Sequence, residues 1–388
     1  MSPTESAAGA MASDGYDRRR ELQAFDDTKA GVKGLVDAGI TAIPPIFRHA
    51  PESLKDMTAS SANDDVAAAS PIPVIDLSDA RREDAVAQVR RTIRKVGFFH
   101  VINHGVPAEL MAGMLAGVRR FNEGPAEAKR AAYTRDPARK VRFNSNFDLF
   151  KSAAANWRDS LFCDLFPDPP PAEEYPEPIR DVITEYGDAV TKVALRVYEL
   201  LSESLGLSSD HLREIGCAQS LRAVCQYYPP CPEPDLTFGI RSHTDPGFLT
   251  VLLQDGMGGL QILADGRDGG HRTWIDVPHV PGALMINIGD HLQLISNDRF
   301  RSAEHRVLAN KSKDTARVSV ASFFNTDMIK TTRPFGPITD GHDPPLYRSV
   351  TAQEFAKTFF SMGLDGRVLD YFRLEQHTPT PLVSSANA

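Results

Sequence analysis

Cysteine is scarce in this 388-residue chain and never paired by spacing: Cys163, Cys217, Cys225 and Cys231 form no C-x-x-C motif. A chain this long can bury a sizeable core without staples, so a disulfide framework is excluded and reduced thiols in a cytosolic protein are expected. No run of ~18 apolar residues exists, and no apolar signal-peptide core precedes the rest. Met1 to about Arg20, rich in Ala and Ser, therefore reads as a disordered cytosolic leader. Glu5, Asp14 and Asp17 argue against an organelle transit peptide. Basic charge is in deficit as well, with a formal net charge of -8. That balance disfavours nucleic acid or an anionic membrane as the main partner. A cytoplasmic monomer acting on small molecules is expected, with no nucleic-acid and no membrane partner.

What is present is an ordinary globular composition, 41% hydrophobic and 24% charged. Residues 1–70 read as a flexible leader and linker with a short helix, the linker being the Ala/Ser/Asp/Asn stretch Ser60 to Ser70. Residues 71–175 form an α-rich N-terminal region. In it, Ile72 to Leu77 suits a strand, and a helix carrying Ala85, Val86, Val89, Ile93 and Val96 ends at Gly97. A buried strand Phe98 to Ile102 and a helix with Leu110, Met114, Val118 and Phe121 inward follow. Residues 176–220 hold a bracing helix from Ile179 to Leu205 and its connection. From Leu221 to Asp327 short β-branched runs alternate with closely spaced Gly turns, the pattern of an antiparallel jelly roll whose mouth can hold a metal between strands of two sheets. Residues 328–388 are C-terminal helices and a tail, with Phe355, Phe359 and Phe360 available to cover that mouth. The fold class is mainly β with flanking helices: a double-stranded β-helix core behind an α-rich N-terminal region.

Inside the β-rich segment stand His243-Thr244-Asp245, then His305, then Arg317-Val318-Ser319. Residues i and i+2 of a strand share a face, so His243 and Asp245 can reach one ion and His305 completes the set from another strand. Two imidazoles and a carboxylate leave positions of an octahedral ion open, the facial triad of non-haem Fe(II) oxygenases. Alternation also puts Arg317, Ser319, Ala321, Phe323 and Asn325 on one face, where a guanidinium can grip a carboxylate through paired hydrogen bonds. Each element alone is common; their order and context make the joint pattern specific. His100 and His104 read as structural, and His271, His279 and His291 as turn or surface residues.

These residues, with Tyr227-Tyr228-Pro229-Pro230-Cys231-Pro232 and Gly97-Phe98-Phe99 to Asn103-His104-Gly105, resemble the plant Fe(II)- and 2-oxoglutarate-dependent dioxygenases of specialised metabolism, from about Glu21 to Leu374. The segment Phe25 to Asp37 is similar to the branch of aminocyclopropane-carboxylate oxidase homologues, and by overall similarity the chain looks most like the grass dioxygenases of that branch that act on benzoxazinoid glucosides. True aminocyclopropane-carboxylate oxidases use ascorbate in place of 2-oxoglutarate, are shorter and lack this extension. Two departures stand out. Gln226 occupies a position usually held by Asn, and the stretch from His305 to Arg317 is slightly long, which a longer hairpin loop around Lys311 to Thr315 would absorb.

The resemblance implies Fe(II) held by His243, Asp245 and His305. It also implies 2-oxoglutarate as co-substrate held by Arg317, Ser319 and Tyr228, with ascorbate as reductant. Dioxygen and 2-oxoglutarate would become succinate and carbon dioxide as the substrate is oxidised. Because Asp245 keeps the third ligand position, hydroxylation or desaturation is expected over halogenation. Phe323 and Asn325, with Phe143, Asn144 and Trp157 opposite, are the candidate substrate walls. The alternatives are the same chemistry on a flavonoid, coumarin or other phenolic, or a small-molecule-binding scaffold without catalysis.

Overall fold

A computed structural model of the chain describes residues 16–57, 72–78, 82–265, 272–339, 343–363 and 367–374. The expected leader as far as residue 15, the linker 60–70 and His271 lie outside the described residues. Twelve strands are found among the described residues: β1 Val74–Asp76, β2 Phe98–Ile102, β3 Val141–Asn144, β4 Asp159–Phe166, β5 Ser220–Tyr228, β6 Phe238–His243, β7 Leu249–Gln254, β8 Leu260–Ala264, β9 Thr273–Asp276, β10 Leu284–Ile288, β11 His305–Leu308 and β12 Arg317–Asn325. Eight join one sheet in the order β1-β2-β10-β7-β12-β5-β4-β3, and β6-β11-β8-β9 form the second. Apart from the parallel β1–β2 pair, the ladders are antiparallel. This is the expected jelly roll, but the large sheet draws strands from both sides of residue 221, so the N-terminal region and the core share one framework.

Alternation assigns the two faces of that sheet. Val318, Val320 and Phe324 of β12 enter the main core with Cys225 and Leu253, under the helix Glu177–Ser204. That helix buries Ile183, Tyr186, Val190, Val193, Val197 and Leu201 along one stripe. Each such aliphatic side chain contributes about 1.5–3 kcal/mol on burial, which makes the helix a rigid back for the sheet. Gly97, at φ 72°, terminates the helix Arg82–Lys95 and turns the chain into β2.

The N-terminal segment is less of a flexible leader than expected. Residues 18–57 form helices Arg18–Asp27 and Gly31–Asp37 and shorter turns, and Phe25, Val32 and Phe47 pack into a separate apolar cluster with Trp157. Asp159, at the start of β4, fixes this segment by accepting from the amides of Val32 and Lys33 at 2.7 and 2.8 Å. The connection from His305 to Arg317 is not a hairpin, because β11 and β12 belong to different sheets. Its extra residues are pinned by Asn310, whose amide donates to the carbonyls of Tyr228 and Thr315 at 3.0 and 2.8 Å.

Candidate active site

His243 ends β6 and His305 begins β11, directly opposite one another in the ladder, with ring centroids 4.2 Å apart. Their Nε2 atoms stand 3.7 and 3.6 Å from Asp245 Oδ1. One ligand atom from each of the three lies within 4.8 Å of the others. Strand alternation explains this only in part, since β6 stops at His243 and Asp245 sits on the loop beyond. Its carbonyl accepts from Asp290 N at 2.7 Å, and its Oδ2 accepts from Thr250 Oγ1 at 2.6 Å and Asn287 Nδ2 at 2.7 Å. Oδ1 is thereby left facing the imidazoles.

The histidines are oriented by the same logic. Nδ1 of His243 donates to Arg241 O at 2.9 Å and Nδ1 of His305 to Ala303 O at 3.1 Å, which leaves the Nε2 lone pairs pointing inward. Burial, then the neighbouring His305, lowers the His243 pKa to about 3. His243 is thus a neutral donor throughout the physiological range. Burial pushes Asp245 towards protonation, but the two imidazoles and the Thr250 and Asn287 hydrogen bonds outweigh it and hold the pKa low. Neutral nitrogens and an ionised oxygen converging from one side match the donor set of a divalent iron, so these residues fit the metal. Thr250→Val with Asn287→Leu is expected to weaken metal binding about 10–100-fold, as loss of outer hydrogen bonds does elsewhere. Mn(II) titration checks this; unchanged affinity would show that Asp245 is oriented otherwise.

Arg317 and Tyr228 face one another across β12 and β5, as do Ser319 and Gln226. Arg317 is buried, donating through Nε to Gly258 O at 2.7 Å, and through its Nη atoms to Ser319 Oγ at 3.2 Å and Gln254 Oε1 at 3.0 Å. Its guanidinium lies 4.8 Å from the centre of the Tyr228 ring. A fork held flat beside a hydroxyl is suited to a carboxylate. The Tyr228 ring fits between the sheets because residue 239 is glycine: a Cβ there would come within 2.9 Å of both the ring and Leu308 O. Gln226 accepts from Ser160 Oγ at 2.7 Å, which leaves its amide NH2 as the free donor.

The proposed substrate walls divide. Phe323 and Asn325 are half-buried while Ser322 and Phe324 between and beside them are buried, so both project from the site face of β12. Phe323 stands opposite Thr250, and the Asn325 amide packs against Gly247 on the Asp245 loop. Asn144 shares that face through the row Asn144, Ser160, Gln226, Ser319, and its Oδ1 is buried without a partner. Phe143 and Trp157 do not belong there. Phe143 is fully buried in the main core, 5.4 Å from Phe121, and Trp157 is fully buried 5.0 Å from Phe47. Alternation turns Phe143 away from the face of Asn144; Trp157, before β4, joins the cluster of the N-terminal helices, and Arg158 beside it lies against Tyr228. Phe355 and Phe359 also belong to the core; only Phe360 is exposed, with its ring 6.1 Å from Phe147. His291, expected at a turn or the surface, is buried between Phe248 and Phe355, and burial lowers its pKa to about 3.

Thr250 and Asn287 were legible as anomalies: Asn287 is the one polar residue of LMINI and Thr250 the one polar residue of LTVLLQ before its terminal Gln254, and a buried polar group needs a partner.

Residues 220–326 match the family described as the 2OG-Fe(II) oxygenase superfamily, and residues 72–181 match the non-haem dioxygenase in morphine synthesis N-terminal family. The chain is 48% identical over 358 residues to 1-aminocyclopropane-1-carboxylate oxidase homolog 1 of Arabidopsis thaliana, covering 90% of this chain and 94% of that one. It is also 48% identical over 360 residues to homolog 2 from the same plant, covering 90% and 95%. Among solved structures, the crystal structure of JOX2 with 2OG, Fe and JA superposes with a TM-score of 0.75 at 30% identity, over 89% of this chain and 98% of that one. The rice dioxygenase for auxin oxidation gives 0.64 at 25% identity, over 78% and 100%. The chain therefore belongs to the 2OG-Fe(II) oxygenase superfamily and is a 2-oxoglutarate-dependent dioxygenase that uses Fe(II).

Proposed function

We propose that this enzyme hydroxylates a plant specialised metabolite, with a benzoxazinoid glucoside as its substrate, and that His243, Asp245 and His305 hold the iron. Arg317, Ser319 and Tyr228 hold the far carboxylate of 2-oxoglutarate, and ascorbate serves as reductant. The observation that carries the site assignment is the convergence of half-buried His243 with buried Asp245 and His305, and the buried Arg317 fork on β12 of the other sheet. Bound iron supplies oxygen activation and polarises the keto acid. The protein residues do the rest. Thr250 and Asn287 aim the carboxylate, the carbonyls of Arg241 and Ala303 keep both imidazoles in the ligating tautomer, and the packed sheets exclude water. The protein acts as a cytoplasmic monomer.

The substrate reading is supported by the overall resemblance to grass dioxygenases of that kind and by Phe323, whose ring on the site face opposite Thr250 suits a flat bicyclic ring. Incubation with benzoxazinone glucosides, flavonoids and coumarins, following succinate and product mass, tests it. A benzoxazinone glucoside gaining one oxygen in step with succinate is expected; turnover of flavonoids or coumarins alone would replace this substrate.

A further inference from the structure

Arg158 immediately precedes β4, whose first residue Asp159 pairs with Tyr227, and its guanidinium lies beside the hydroxyl of Tyr228, which in turn faces Arg317 across β5 and β12. The phenol of Tyr228 is thus flanked by two arginines. Arg317 is fully engaged by Gly258, Ser319 and Gln254. Arg158 is not. It is 5% exposed, and its Nε is buried with no hydrogen-bond partner.

Its compensation is weak. The polar group at the guanidinium's other end is the Tyr228 hydroxyl, and the carboxylate facing it is Asp148. Asp148 is itself shared: one oxygen accepts from Ser152 Oγ and lies 3.7 Å from Arg241, and the other is buried and unpartnered. An uncompensated buried charge costs several kcal/mol, so such a group persists where a ligand completes it. With iron and 2-oxoglutarate bound, the iron dication and Arg317 balance Asp245 and the 2-oxoglutarate dianion, so that none of them offsets the charge of Arg158. The same face continues through the small Ser160 to the half-buried Phe162.

We propose that Arg158 is a specificity-determining residue that binds a singly charged oxyanion carried by the substrate, a carboxylate or an ionised hydroxyl. The inference rests on the iron and 2-oxoglutarate assignment above but not on the benzoxazinoid substrate. The full chain loaded anaerobically with Mn(II) and saturating 2-oxoglutarate is titrated calorimetrically with benzoate and with its neutral isostere benzamide. A charge-assisted hydrogen bond predicts that benzoate binds about tenfold tighter or more, and that Arg158→Gln removes this preference while leaving benzamide affinity unchanged. Equal binding by the native protein, a preference that survives Arg158→Gln, or an equal loss of benzoate and benzamide binding in that variant would each overturn the proposal. If Arg158→Gln does not fold, Arg158→Lys keeps the charge without the fork and must still lower the preference; an unaltered preference would overturn it. Failure of 2-oxoglutarate to bind the Mn(II) protein would overturn the underlying site assignment together with the inference, whereas inactivity towards benzoxazinone glucosides touches neither.

Discussion

His243→Ala is expected to fold and to lose more than about 100-fold in iron-dependent succinate release, beyond what removal of an outer hydrogen bond costs at other metal sites. The side chain contributes an inward Nε2 and one hydrogen bond to a backbone carbonyl, and it is neutral, so alanine leaves no unpaired buried charge behind. Two donors then remain, His305 and Asp245, which no longer define one face of an octahedral ion. A second readout separates lost chemistry from lost binding. A metal that binds only the folded state stabilises it by about 2.7 kcal/mol at a hundredfold excess over its Kd, so Mn(II) should raise the melting temperature of the native protein and barely move that of the variant. Unchanged turnover together with an unchanged metal-dependent shift would refute the proposed iron site.

The reach of the sequence differs between the two halves of the site. Around Arg317 alternation was sufficient, because β12 is a regular nine-residue strand and Arg317, Ser319, Phe323 and Asn325 stay on one face throughout. Around His243 the same rule grouped residues that do converge, but for an incomplete reason. β6 ends at His243, and long-range bonds from Asp290, Thr250 and Asn287 bring Asp245 into place. At the opposite wall two of the expected residues, Phe143 and Trp157, are buried in apolar clusters. Without a known register, Phe143 and Trp157 looked like an aromatic wall, whereas β3 turns Asn144 inward and Arg158, just before β4, lies beside Tyr228. Aromatic residues are drawn to any apolar cluster, and here two such clusters, one in the main core and one under the N-terminal helices, outcompete the cavity. Packing of the N-terminal helices was hidden for a related reason: it depends on partners distant in sequence, among them Asp159, which accepts from the amides opening Gly31–Asp37, and Arg135, which donates to Asp26.

A methyl group at Gly289, which touches no metal ligand side chain, is expected to damage the site nearly as much as removing one. Gly289 has φ -95° and ψ 166°, an extended conformation open to any residue, so the obstacle is space and not backbone strain. A Cβ there would be driven onto the Gly247 carbonyl, 2.6 Å from its carbon and 3.1 Å from Asp245 O. The loop 245–247 and the start of the helix Asp290–Ile295 are laced together by Asp290 N to Asp245 O at 2.7 Å and His291 N to Gly247 O at 3.2 Å. Relief of the clash must part these strands of backbone, and Asp245 is the first residue carried away. Overpacking of this kind costs about 1–3 kcal/mol, which a chain with so large a core survives. A misplacement near 1 Å at a reacting centre costs about 100-fold in rate, so the effect on function exceeds the effect on stability. Gly289→Ala should therefore give a folded protein with a modestly lower melting temperature, Mn(II) affinity reduced about 10–100-fold as when a ligand loses its orientation, and little succinate release. Native metal affinity in that variant would mean that the loop yields without moving the carboxylate, and that Thr250 and Asn287 alone hold Asp245 in place.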